Sequence, residues 1–177
     1  MPLKPSVLPG MLEHDDIARR IPHQASMCLL DRVTSWDTGQ ISCEASSHLS
    51  PDNPLRSHGR LGAACGIEYA AQAMAVHGAL IAEASAGEAQ HGPQIGYLAS
   101  VRSVMLHVER LDDLDMALLI RAERMSGDDS TILYSFTVHG GPVLLLSGRT
   151  VVVLNAANLA LPGRSNQPAL PLPVHPL

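Results

Sequence analysis

Leu61 to Ala86 reads LGAACGIEYAAQAMAVHGALIAEASA, and this stretch decides the fold. Alanine, the best helix former, crowds it, and no proline interrupts it. It is apolar on nearly every face, so the spacing predicts a long helix that is buried rather than laid on a surface. Glu68, Gln72, His77 and Glu83 exclude a membrane span. One buried helix cannot make a core by itself. The rest of the chain must cover it.

Downstream, four β-rich runs follow: Ile95–Glu109, Met116–Arg124, Thr131–His139 and Val143–Leu154. Asp112-Asp113, Ser126 to Asp129 and Gly140-Gly141-Pro142 punctuate them, with no helix between, which predicts an antiparallel meander. Upstream, Leu12–Arg20 has early acids and late arginines, the polarity of a short helix, and Ile21-Pro22 stops it. Met27–Val33 and Ile41–Leu49 read as strands, paired into a hairpin by the turn at Asp37-Thr38-Gly39. Residues 50–59 (SPDNPLRSHG) form a loop, since Pro51 and Pro54 exclude a regular element. The expected architecture is α+β, a long central helix wrapped by an antiparallel sheet of about six strands. Such a sheet covers one side of the helix, so the other flank predicts a dimer. Residues 1–10 read as an irregular leader, 11–154 as a single domain, and 155–177 as a flexible tail with five prolines between Pro162 and Pro176.

Composition narrows the function. The 177 residues carry a net charge of −5 and no run of Lys or Arg to neutralise phosphates. Aromatic residues make up 3%, too few for a base-stacking platform. Nucleic acid and anionic membrane surfaces are therefore poor partners. Residues 1–10 have no apolar core of a secretory signal. The cysteines, Cys28, Cys43 and Cys65, are odd in number and lack zinc-like spacing, which fits reduced thiols in the cytoplasm. Asp112, Asp113, Asp115 and Asp128-Asp129 read as turn residues, so no metal is expected. Phosphate-loop, dinucleotide-binding, zincin and nucleophile-elbow motifs are absent.

Glu68 and Gln72 stand four apart, on one helix face. A carboxylate in an alanine-rich helix is costly to bury unless protonated, paired or used. Two readings stay open: a general acid/base of raised pKa, or a partly exposed Glu hydrogen-bonded by Gln72. Among nine histidines, His58 stands out because its loop feeds the start of the helix holding Glu68. His48, at a strand end, is second. His23, His77, His107 and His139 read as structural or surface groups, and His14, His91 and His175 as exposed. The helix start offers backbone N–H groups at Gly62, Ala63 and Ala64 for a developing oxyanion, or else small residues for tight packing. Cys65 reads as a packed core thiol.

Ile21-Pro22-His23 followed by residues 27–33 (MCLLDRV) resembles the opening of the FabZ/FabA-type 3-hydroxyacyl-ACP dehydratases, and residues 66–75 (GIEYAAQAMA) resemble their central helix. The likeness is closer to the ApeP-like branch of hotdog proteins, associated with aryl-polyene lipid clusters. The helix through His77 and Gly78, the strand at residues 95–102 (IGYLASVR) and the Gly127-Asp128-Asp129 turn carry it. It runs from about Ile17 to Leu154.

The resemblance implies a hotdog fold and a dimer with an acyl tunnel between subunits. It implies a 3-hydroxyacyl-ACP or acyl-CoA dehydratase of fatty-acid, polyketide or aryl-polyene type lipid synthesis. The alternatives are a hotdog acyl thioesterase, or a non-catalytic subunit paired with a second hotdog protein. Glu68 stands where the family has its helix acid. The dehydratase GHFPGxPxxPG loop is absent, replaced by the shorter residues 53–60 (NPLRSHGR), and the acidic residue of the ApeP-like pattern near position 58 is absent too. In this scheme His58 takes the C2 proton and Glu68 handles the departing C3 hydroxyl. Gln72 positions Glu68, Gly62, Ala63 and Ala64 supply carbonyl-polarising N–H groups, and Gly96 lines the substrate. No cofactor is required.

Overall fold

The computed structural model describes residues 11–85, 96–128 and 130–154. The expected leader (1–10) and the expected tail (155–177) lie outside these residues, as do His91 and His175. The elements are β1 (Leu12–Glu13), α1 (His14–Ala18), β2 (Arg32–Trp36), β3 (Gln40–Ala45), α2 (Gly66–Ser85), β4 (Gly96–Leu106), β5 (Leu118–Gly127), β6 (Thr131–Gly140) and β7 (Val143–Leu154). The strands form one antiparallel sheet in the order β1-β2-β3-β5-β6-β7-β4, against the long helix α2. This is the α+β hotdog architecture that the sequence predicts, with seven strands rather than about six.

The meander needs correction. β4 does not lie beside β5; it pairs with β7 at the far edge, and β5 pairs with β3. The segment after β4 passes across the start of the helix, where Ala63 N–H donates to Glu109 O (3.0 Å) and Leu111 N–H to Leu61 O (2.8 Å). That crossing returns the chain at β5 on the other side of the sheet.

Two upstream elements also differ. Of the predicted strand at Met27–Val33, Ala25–Met27 is a 3₁₀ turn and the ladder begins at Arg32. Cys28, Leu29 and Leu30 are buried, but the Leu29 N–H is satisfied by the Gln72 side chain (2.9 Å) instead of a strand. β3 ends at Ala45, because the Asp31 carboxylate accepts from the Ser46 N–H (2.7 Å) and hydroxyl (2.6 Å) and turns the chain into a 3₁₀ turn. The predicted helix Leu12–Arg20 shrinks to α1, since Leu12 and Glu13 pair with Val33 and Arg32.

Helix α2 has two apolar faces with different fates. Tyr69, Ala70, Ala73, Val76, His77 and Leu80 are buried in the core with Ile41, Ile120 and Phe136 of the sheet. Small residues bring helix and sheet close, each large buried neighbour contributing about 1.5–3 kcal/mol by leaving water. The Tyr69 hydroxyl meets Ser47 Oγ (2.9 Å) and accepts from Asn53 Nδ2 (3.0 Å), pinning the loop after β3 to the helix. The stripe Glu68, Ala71, Ala75, Gly78 and Ala82 is half-buried and borders a groove. No described helix is long and apolar enough to cross a membrane.

Candidate active site

The groove has a volume of about 570 Å³ and runs along the small-residue stripe of α2 toward Gly96, Ile132 and Val152 of the sheet. Along α2 its wall is mostly alanine, glycine and aliphatic residues, with polar groups gathered toward its ends. Glu68 and His23 form one such pair, with Nε2 of His23 3.1 Å from Oε1 of Glu68. Pro22 fixes the chain direction just before His23, and buried Ile21 anchors the bend after α1.

Gln72 sets the acid. Its Nε2 donates to Glu68 Oε1 (3.0 Å) and to Met27 O (2.8 Å), while its Oε1 accepts from Leu29 N–H (2.9 Å). The amide is fully buried, so its orientation is dictated by partners on both sides. Glu68 is 32% exposed, which places its carboxylate at the groove surface with a histidine against it. Of the two readings of Glu68, the hydrogen bond to Gln72 is present, and it coexists with a geometry suited to proton transfer. Nδ1 of His23 is buried without a partner among the described residues.

His58 stands elsewhere in the chain. It is exposed, in left-handed backbone (φ +51°), within the tight turn that pairs Ser57 with Arg60, and its Nδ1 lies 3.0 Å from Ser57 Oγ. It does not line the groove. The histidine that meets Glu68 within the chain is His23, read from sequence as structural or surface. The signal that could have found it is the Pro22-His23 opening itself. His48 is buried with Nε2 3.3 Å from Leu114 O, and burial pushes its pKa down.

The helix start also differs from expectation. The Ala63 N–H is spent on Glu109 O, and Leu61 N–H donates to Asp112 Oδ1 (3.1 Å). The Arg110 guanidinium beside Asp112 holds its carboxyl well below the usual range, and Arg56 grips the same carboxylate at 2.9 Å. This clamp ties the loop before α2 to the segment that follows β4. Gly62, Ala63 and Ala64 do not line the groove, whereas Gly96 does. Cys65 Sγ faces Leu55 O and burial raises its pKa, opposite to what an activated thiol needs. No cluster of three or more potential metal ligands occurs among the described residues.

A long helix wrapped by an antiparallel sheet, with an acid on the helix beside a groove, defines a hotdog-fold protein. Similar solved structures agree. The dehydratase heterocomplex ApeI:P from Xenorhabdus doucetiae matches with a TM-score of 0.68 at 23% identity, over 81% of this chain and 93% of that chain. Thioesterase HI1161 from Haemophilus influenzae matches with a TM-score of 0.55 at 8% identity, over 81% and 90%. A hypothetical thioesterase with coenzyme A from Streptococcus pneumoniae matches with a TM-score of 0.50 at 10% identity, over 70% and 84%. At such identities these structural likenesses show a common fold and nothing more. No curated protein matches the chain. The ApeP-like family, described as ApeP dehydratase, matches residues 15–160, and the chain belongs to it.

Proposed function

We propose that this chain acts as a 3-hydroxyacyl-thioester dehydratase, with Glu68 and His23 as its acid–base pair. The observation that carries the reading is the 3.1 Å contact between the two on the wall of an apolar groove. His23 takes the place that the sequence suggested for His58. It removes the C2 proton, the C2–H electrons form the C2–C3 double bond, and the C3–O bond breaks. Glu68, as the carboxylic acid, gives its proton to the departing hydroxyl, which leaves as water. The proton gained at His23 then passes to Glu68 across the same contact, so the pair ends as it began. Gln72 holds Glu68 in place throughout. The thioester is carried on acyl carrier protein or CoA, and residues 11–154 act as one hotdog domain in the cytoplasm.

A two-subunit site is favoured by one specific observation: none of Gly62, Ala63 and Ala64 lines the groove, so the donor that polarises the thioester carbonyl comes from elsewhere. The similar ApeI:P structure is a dehydratase heterocomplex, which supports a second hotdog subunit as partner here. That subunit is a copy of this chain or a different hotdog protein, and the chain alone is then fully or half catalytic.

The test is enoyl absorbance from a 3-hydroxyacyl thioester, with the chain alone and with a hotdog partner from the same genome. Glu68→Gln should lower the rate at least about 100-fold. A fully active Glu68→Gln variant would sink the assignment. Thiol release without enoyl absorbance would favour the thioesterase reading instead, with Glu68 activating water.

A further inference from the structure

Away from Glu68 and His23, the groove wall carries a second polar group of residues that the proposed chemistry does not use: Arg124, Asp128 and Tyr134. Arg124 is half-buried, and its guanidinium has no ion-pair or hydrogen-bond partner among the described residues. A half-buried cation with no partner among the described residues is left with hydrogen-bond donors that a bound ligand can complete.

Tyr134 is fixed by a buried network. His77 Nε2 lies 2.7 Å from the Asp37 carbonyl oxygen, which can only accept, so Nε2 carries the hydrogen. Nδ1 of the neutral ring is then an acceptor, and the Tyr134 hydroxyl, 3.0 Å away, donates to it. Burial lowers the His77 pKa and raises that of Tyr134 to about 12, so both groups keep these neutral forms. With its hydrogen committed to His77, the Tyr134 oxygen can act toward any other group as an acceptor alone. His77 lies nine residues beyond Glu68 on α2, about 13 Å along the helix axis.

We propose that Arg124 and Tyr134 form a recognition site for a hydroxyl-type group on the acyl chain, Arg124 donating to it and Tyr134, oriented by His77, accepting from it. A hydroxyl satisfies both residues; a plain hydrocarbon satisfies neither. His77 is a positioning residue in this arrangement. The inference rests on the groove binding an acyl chain, as the dehydratase reading requires.

Binding of non-cleavable amide analogues of the thioester tests it, because neither dehydration nor hydrolysis then enters the measurement. The probes are a ten-carbon acyl chain, the same chain with a terminal hydroxyl, and the methyl ether of that hydroxyl, titrated against the intact protein by calorimetry. The hydroxyl probe should bind roughly ten-fold tighter than the plain chain, with the ether between them. Arg124→Met should remove the advantage of both polar probes. Tyr134→Phe should bring the hydroxyl probe down to the ether.

In His77→Phe the Tyr134 hydroxyl is free to turn, and the ether should rise to meet the hydroxyl probe. A purely structural loss would instead weaken all three probes together. Arg121→Met, on the outward face of the same strand, should keep the full preference. Equal binding of the three probes, no binding of any, or a preference that survives Arg124→Met would each overturn the proposal. A hydroxyl preference in a protein that forms no enoyl product would sink the dehydratase reading while supporting this site. Enoyl formation with equal binding would do the reverse.

Discussion

Gln72 is the residue whose loss should separate architecture from chemistry. Its side chain satisfies Leu29 N–H, Met27 O and Glu68 Oε1 at once, from a fully buried position. Gln72→Ala leaves a buried N–H and a buried carbonyl without partners, and should cost about 1–3 kcal/mol in chemical denaturation. Glu68→Gln, by contrast, keeps a hydrogen-bonding side chain at the groove surface and should leave the unfolding midpoint nearly unchanged.

His77 and His48 supply a second residue-scale expectation. Burial lowers both pKa values below the ordinary 6.5. Below that pH the unfolded chain binds protons that the folded chain refuses, so stability falls as pH falls. The melting temperature should decline from pH 7 to pH 5, and His77→Phe should flatten that slope even if it lowers the whole curve. A slope unchanged in His77→Phe would show that His77 takes no part in it.

At the scale of the element, α2 presents a packed face and an open one, and two of its glycines tell them apart. A Cβ on Gly66 would come within 2.5 Å of the buried Leu146 side chain, whereas one on Gly78 meets nothing within 4 Å. Gly66→Val should therefore destabilise by about 1–3 kcal/mol through overpacking. Gly78→Ala should stabilise by up to about 1 kcal/mol from helix propensity. Gly78→Phe should fold yet lose turnover of long acyl chains, because the ring fills the groove; unchanged turnover would show that the chain does not run past Gly78.

Alanine density made α2 legible in sequence, and turn residues made β5, β6 and β7 legible. The neighbours of β4 were not, because run spacing says nothing of a connection that crosses the helix start. Met27–Val33 misled for a related reason: a helix side chain, Gln72, serves Leu29 where a strand would. In the same way the i,i+4 spacing exposed Glu68 and Gln72 together, while His23 reaches Glu68 only through the tertiary bend after α1.

At the scale of the whole molecule, the open flank of α2 and the open edge of the sheet lie together. Among the described residues β4 pairs with β7 on one side only, so its other side is a sheet edge. Tyr97 (50% exposed), Leu98, Met105 (58%) and Leu106 project from this edge strand, an apolar surface of the kind that marks association. Gly96, Tyr97 and Leu98 also border the groove. A subunit that adds a strand to β4 would therefore wall the groove as well, and assembly and activity should fail together. The Tyr97→Lys, Met105→Lys double variant places two charges on the edge while Glu68, His23 and Gln72 stay in place. Light scattering should show a dimer for the parent chain and a monomer for the variant, with enoyl formation lost in step. Restoration of the rate at high protein concentration would tie the loss to assembly rather than to damage at Glu68. A variant that stays dimeric would place the interface elsewhere, and a monomer that keeps full activity would make the groove of one chain sufficient by itself.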